Sequence, residues 1–208
     1  MNSKQIRIST GYVFMAIFAI FIGLYPLRFI GLDYNDGLLG SKSSALLDSL
    51  FYLIAFYTHI FLGGLALISG FSQFFKKLRM KWLRLHRILG KIYIISVMCS
   101  GAAGLCIAFF AEGGFITTIG FGILAILWLF TTIKAYTSIK NKDIEKHQHW
   151  MIRSYALCFA AVTLRIYMPI FLGGLAMDFI PAYKIIAWLC WAPNLLVAEF
   201  IIRKQKMV

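Results

Sequence analysis

The chain has 208 residues, 61% of them hydrophobic, and a mean hydropathy of +0.79. That is well above the composition of a water-exposed domain and excludes an ordinary soluble fold. The formal net charge is +13, but the cations sit in short connections interleaved with Leu78, Trp82, Leu83 and Leu85, which suits lipid headgroups and excludes nucleic acid as the expected partner.

Six apolar runs approach the ~20 residues a helix needs to cross hydrocarbon. They cover residues 11–27, 49–75, 92–111, 115–133, 150–177 and 185–202, and they leave no room for a soluble domain, so 1–208 reads as one transmembrane domain. The first run follows Lys4 and Arg7 but is longer than a signal-peptide core and lacks a small-x-small cleavage site, so it is expected to be a retained helix. The longest connection, 31–48, contains Asp33-Tyr-Asn-Asp-Gly37, a turn cluster. The third run carries Ser96, Ser100, Gly104 and Ala108 on one face, the small-xxx-small pattern of close helix packing. Ile60-Phe-Leu-Gly-Gly-Leu-Ala66 recurs verbatim as Ile170 to Ala176, but at different depths in the two spans, so it is read as coincidence and not as an inverted repeat. Cys99, Cys106, Cys158 and Cys190 all fall inside runs, with no C-x-x-C pair, and read as small apolar packing residues.

Charge sets the orientation. Lys76, Lys77, Arg79, Lys81, Arg84, Arg87 and Lys91 fall in the second connection, Lys134, Lys140, Lys142 and Lys146 in the fourth, and Arg203, Lys204 and Lys206 in the tail. The opposite side has Arg28, Lys42 and Lys184 among Asp33, Asp36, Asp48, Glu112 and Asp178. Short Lys/Arg-rich loops stay cytoplasmic. The fold class expected is all-α, a polytopic bundle of six transmembrane helices with both termini cytoplasmic.

Two ionisable residues lie deep in this apolar sequence. His59 is roughly 15 Å in from the outer end of the second run, and Arg165 roughly 22 Å up from the inner end of the fifth, nearly the same level. A charge near the midplane costs at least a few kcal/mol and defaults to a functional reading. Both are expected to share a ligand pocket, with Tyr57, Phe61 and Trp191 as apolar wall and Asn194, after Pro193, as a kinked polar wall. No carboxylate lies at this level. The counter-charge for Arg165 is therefore expected from a bound ligand, a haem propionate, a quinone oxygen or helix carbonyls.

A second polar group gathers at the inner face: His86, His147, His149, Arg153 and Glu199. Eighteen residues make five helical turns, so His147 and Arg165 share a stripe with Ser154 and Cys158, a candidate polar path from the cytoplasm to mid-membrane. The plainer alternatives are that the histidines anchor helix ends, that Glu199 simply pairs with Arg153, and that His59 is a neutral hydrogen-bonding residue.

Leu85-His86-Arg87-Ile-Leu-Gly90-Lys-Ile-Tyr93, His147-Gln-His-Trp150-Met151-Ile-Arg153-Ser154-Tyr-Ala-Leu, Ala160-Ala-Val-Thr-Leu-Arg165 and Trp188-Leu-Cys-Trp191-Ala-Pro-Asn194-Leu-Leu-Val-Ala-Glu199 resemble bacterial membrane proteins of domain of unknown function 2306, over roughly residues 57–199. The resemblance implies the six-helix architecture in a bacterial inner (plasma) membrane. It marks His59, His86, His147, Arg153, Arg165, Asn194 and Glu199 as motif positions, with His149 where Arg is common, and implies no activity. In addition, Leu85-His86-Arg-Ile-Leu-Gly90 is similar to the haem-ligand run of cytochrome b561-type proteins. That similarity implies one b-type haem held by His86 and His147 (or His149), with Arg153 on a propionate. The fourth run, 115–133, departs from that pattern by having no histidine, and this counts against a second haem.

Three functions are therefore expected to compete. The first is a membrane redox protein with one haem b, exchanging electrons with a quinone near His59 and Arg165. The second is a cofactor-free carrier or binding protein whose Arg165 holds a small anionic or polar ligand. The third is an accessory subunit that docks another membrane protein.

Overall fold

Lipid tails are as apolar as Leu, so helices in a bilayer associate through close contact of small residues and through polar bonds between them. The structure, a computed structural model, describes residues 3–30 and 39–206. The turn cluster 33–37, with Asp33 and Asp36, lies outside the described residues. Helices α1 (Ser3–Leu24), α3 (Leu50–Phe71), α5 (Leu83–Ala108) and α6 (Phe115–Lys140) supply the first four spans. A short α2 (Ser44–Leu47) precedes the second span, and α4 (Lys76–Lys81) follows it. The fifth span is split into α7 (Ile144–Cys158) and α8 (Ala160–Pro169), and the sixth into α9 (Phe179–Leu189) and α10 (Ala192–Lys206). Six stretches are long and apolar enough to cross a membrane, the last two being Ile144–Gly174 and Phe179–Gln205. Among the described residues there is no strand.

Small residues set the helix crossings. A Cβ on Gly64 of α3 would collide with the Gly23 carbonyl of α1, so these two backbones touch only because both positions are glycine. A Cβ on Gly70 would lie 2.7 Å from the rings of Tyr93 and Tyr155. The seam of α5 packs on α3: Ser100 donates to the His59 carbonyl at 2.8 Å, and a Cβ on Gly104 would lie 2.7 Å from His59 Nδ1. The seam is thus a packing surface that also seats a histidine. The outward faces carry Phe21, Phe51, Phe115 and Phe200, all exposed, where lipid tails would cover them. Helix α4, with Met80 and the adjoining Trp82 exposed, has the character of a segment lying at the inner headgroup level. Asp143 starts α7 by accepting from Lys146 N at 3.0 Å. The hydrogen bond from the Lys146 side chain holds its carboxyl below the usual range.

The two interruptions decide the interior. In the inner half, α7 packs against α3, α6 and α10. Above Phe159 the chain changes neighbours, and α8 leans on α1 and α9. The inner half is consequently full. Tyr93 Oη and Ser154 Oγ lie 2.6 Å apart, Thr132 Oγ1 and Ser154 Oγ 2.7 Å apart, and Tyr155 donates to the Leu67 carbonyl at 3.1 Å. Ser154 is 0% exposed, so the stripe expected to line a polar path from the cytoplasm is closed by a hydrogen-bonded knot. The repeated heptapeptide adopts two conformations: its first copy is mid-helix in α3, while Ile170–Gly174 forms a π turn after Pro169.

Two outcomes are expected. Gly64→Val should lower the melting temperature of detergent-purified protein by an amount equivalent to about 1–3 kcal/mol, the cost of forcing bulk into a tight contact. An unchanged melt would show that α1 and α3 do not cross there. With maleimide labelling of intact cells, a cysteine at Phe115 should react from outside and one at Glu145 only after the membrane is opened; the reverse would invert the topology.

Candidate functional site

Where α8 leaves the bundle axis, an internal cavity of about 790 Å³ remains in the outer half. It runs from the outer-loop residues Ser41, Lys42 and Ala111 down to Trp128 and Leu157. Its wall is mostly aromatic and aliphatic. The polar exceptions include His59 and Arg165, which line it together with Lys42, Tyr25, Tyr52 and Tyr183. Among the described residues, no Asp or Glu lines it.

His59 is fixed by α5. Its Nδ1 lies 3.0 Å from the Ser100 carbonyl oxygen. A carbonyl can only accept, so Nδ1 carries the proton, and Nε2 of the neutral ring is an acceptor. Arg165, six residues beyond Phe159, bends back to donate from Nη1 to the Ala161 carbonyl at 2.9 Å. Its guanidinium lies over the Tyr25 ring, 4.7 Å from the centroid. Among the described residues Arg165 has no ion pair. Lys42 differs: its side chain is 6% exposed, and Nζ is held by Glu112 Oε1 at 2.9 Å and by the Phe110 carbonyl.

Asn194 keeps both interruptions together. Pro193 has no N–H, so α10 restarts after Cys190 and Trp191. Asn194 Nδ2 reaches the Cys190 carbonyl at 2.9 Å, Thr163 Oγ1 at 2.9 Å and the Ala156 carbonyl at 3.3 Å. One amide thereby serves carbonyls at the breaks of both the fifth and the sixth span. Cys158, Ala160, Ala161 and Cys190, which flank those breaks, all line the cavity.

Asn194, expected as a polar wall of the pocket, is not itself among the lining residues, and the other sequence candidates also lie elsewhere. Tyr57 is not among the lining residues; two positions from His59, it points to the other side of α3, and its ring stacks on Phe61 at 6.2 Å. Trp191 likewise turns inward, with Nε1 donating to the Ala187 carbonyl at 3.0 Å. Tyr52, Phe56 and Tyr25 supply the aromatic wall instead. Arg153 and Glu199 form a bidentate pair, Nε–Oε1 at 2.5 Å and Nη2–Oε2 at 2.9 Å, with Trp150 4.6 Å from the guanidinium. His147 Nδ1 lies 2.8 Å from the Ala135 carbonyl, and His86 Nδ1 is buried with no partner among the described residues. His149 is buried, 8% exposed. None of these inner-face residues lines the cavity. Lys42 and Tyr25 were missed by the sequence reading. The one available signal for Lys42 was Glu112 on the same side of the membrane, and sequence alone does not say that the two meet.

Asn194→Leu should cost about 1–3 kcal/mol of stability by leaving carbonyls in hydrocarbon without a donor. Asn194→Asp should not restore it, because a carboxylate offers acceptors only. Melting curves of the purified variants give the comparison, and a wild-type melt for Asn194→Leu would show that Asn194 does not hold the breaks.

No curated protein and no solved structure matches the chain. The family model described as predicted membrane protein (DUF2306) matches residues 56–202, a stretch that contains His59, Arg165, Asn194 and both helix interruptions. The chain belongs to this family of membrane proteins.

Proposed function

We propose that this protein binds a small anionic or polar-headed ligand inside the membrane, without a resident cofactor, and carries or senses it. The observation that carries the reading is one cavity, about 790 Å³, lined by both His59 and Arg165. A guanidinium held in an apolar enclosure without a carboxylate favours an anion or a polarised oxygen as its partner. The Nε2 acceptor of His59 adds a site for a ligand O–H or N–H. A quinone head offers the oxygen but not the donor, so it satisfies half of the arrangement.

The redox reading has one supporting feature. His147 Nδ1 is tied to a carbonyl, as a metal-binding imidazole commonly is, and His86 Nδ1 is unpaired. Two observations favour the cofactor-free reading over it. The Arg153 fork is taken by Glu199, and the apolar cavity reaches neither histidine. Protein purified from haem-replete cells is expected to show no Soret band; a band lost in His147→Ala would reverse the ranking.

Thermal-shift assays with small anions, inorganic phosphate and acetate first, give the direct check. A ligand at a hundred times its Kd stabilises the folded state by about 2.7 kcal/mol. Arg165→Leu should remain folded and lose the shift, since Leu suits a bilayer interior. Arg165→Lys should recover little, because an ammonium lacks the planar fork. A shift undiminished in Arg165→Leu would remove Arg165 from the site.

A further inference from the structure

The cavity shares a wall with a lipid-facing groove. Phe21 and Tyr25 line the cavity, and they also line this open groove, formed on the outer face of α1 with Ile17, Ile20, Leu24 and Arg28. Ile17, Ile20, Phe21 and Leu24 are all exposed, so this groove is a track of hydrocarbon facing hydrocarbon. At its outer end the Tyr25 ring is flanked by two guanidiniums: Arg28 lies 5.3 Å and Arg165 4.7 Å from the ring centroid. Tyr25 is thus the partition between an apolar track open to the bilayer and the charged end of the cavity. Position explains the conformation here, because Pro26 lies in the 3₁₀ turn Tyr25–Phe29 that ends the first span and turns Tyr25 into the shared wall.

We propose that the ligand is an anionic amphiphile of the outer leaflet, a phosphate monoester on one apolar tail. Its head is held by Arg165 and His59, and its tail leaves past Tyr25 along the groove of α1. This rests on the ligand-binding reading above. Three features of the page choose this chemistry. Among the described residues the cavity presents Arg165 without an ion pair and no lining carboxylate, so charge complementarity favours an anion. The site pairs an anion binder with a hydrogen-bond acceptor, and a singly protonated phosphate matches both, with P–O⁻ for Arg165 and P–O–H for His59 Nε2. Only Phe21 and Tyr25 separate the cavity from the groove on the lipid-facing side of α1, where a tailed molecule is concentrated and a free ion is not, so a displacement of the Tyr25 ring would join the two. Arg28 stands beside the same ring, exposed, where it would meet the head group on entry.

The test uses the full chain in dodecyl maltoside, with dodecyl phosphate, inorganic phosphate and dodecanol as probes and melting temperature as the readout. Dodecyl phosphate should raise the melting temperature at a concentration at least about tenfold below that needed for inorganic phosphate. Dodecanol should have no effect. Leu24→Trp, at a position already 48% exposed, should fill the track. It should raise the half-saturating concentration of dodecyl phosphate by about tenfold and leave that of inorganic phosphate unchanged. If that variant aggregates, Arg28→Gln is the second arm and should weaken dodecyl phosphate severalfold. Equal potency of the two phosphates, both lost in Arg165→Leu, would overturn the amphiphile and leave the small-anion reading standing. A dodecyl phosphate effect that survives Arg165→Leu is adventitious detergent binding and overturns both. No shift with either phosphate overturns the proposal outright.

Discussion

A helix interrupted in hydrocarbon has no water to satisfy the carbonyls it releases. In this bundle two neighbouring spans are interrupted, at Phe159 and at Cys190–Trp191, and a single amide serves both. The two Nδ2 hydrogens of Asn194 are shared among the Cys190 carbonyl and Thr163 Oγ1, each at 2.9 Å, and the Ala156 carbonyl at 3.3 Å. The interior depends on that arrangement. Because the fifth span breaks, α7 fills the inner half while α8 departs toward α1, and the space it vacates is the cavity.

The three internal cations show how sharply the environment of Arg165 differs. Arg153 is matched by Glu199 in a bidentate pair, and Lys42 is matched by Glu112. Arg165 has a helix carbonyl and a tyrosine face. Those contacts offset part of the cost of a permanent charge at this depth but supply no opposite charge. Arg165 lines the cavity and, among the described residues, faces no carboxylate, and the proposed ligand binding rests on that contrast.

The two halves of the bundle have opposite character. Toward the cytoplasm, Tyr93, Ser154 and Thr132 bond to one another with no exposed surface on Ser154, and Gly70 lets the tyrosine rings settle against α3. Toward the outside, the cavity reaches Ser41 and Lys42, and Phe21 and Tyr25 form the wall it shares with the groove on α1. The described residues that line it thus extend to the outer loops and not to the cytoplasmic face. Passage to the cytoplasm would require the Tyr93–Ser154–Thr132 knot to open, which makes those buried hydroxyls the barrier of any carrier cycle.

Sequence determined much of this. Hydropathy and the distribution of Lys and Arg specified six spans and their orientation, because transfer free energy depends on composition and needs no tertiary contact. Depth along the chain was enough to bring His59 and Arg165 to one level, since rise per residue is constant in a helix. Direction was less legible. Tyr57, Phe61 and Trp191 were assigned to the pocket wall by level alone, but the rotation of each helix about its axis, which turns them elsewhere, follows from contacts such as Gly104 against His59 and Gly64 against Gly23. The stripe from His147 to Arg165 assumed an unbroken helix, whereas the helix is interrupted at Phe159, beside a contact from Asn194 on another span to the Ala156 carbonyl. The Arg153–Glu199 pair was one of the alternatives the sequence offered, and the structure makes it; tertiary structure alone decided that Lys42 reaches Glu112 and that Arg165 is left to Tyr25 and the cavity. Sequence spacing carries no information about which side chains meet across spans, and it is those meetings that choose the partner of each charge.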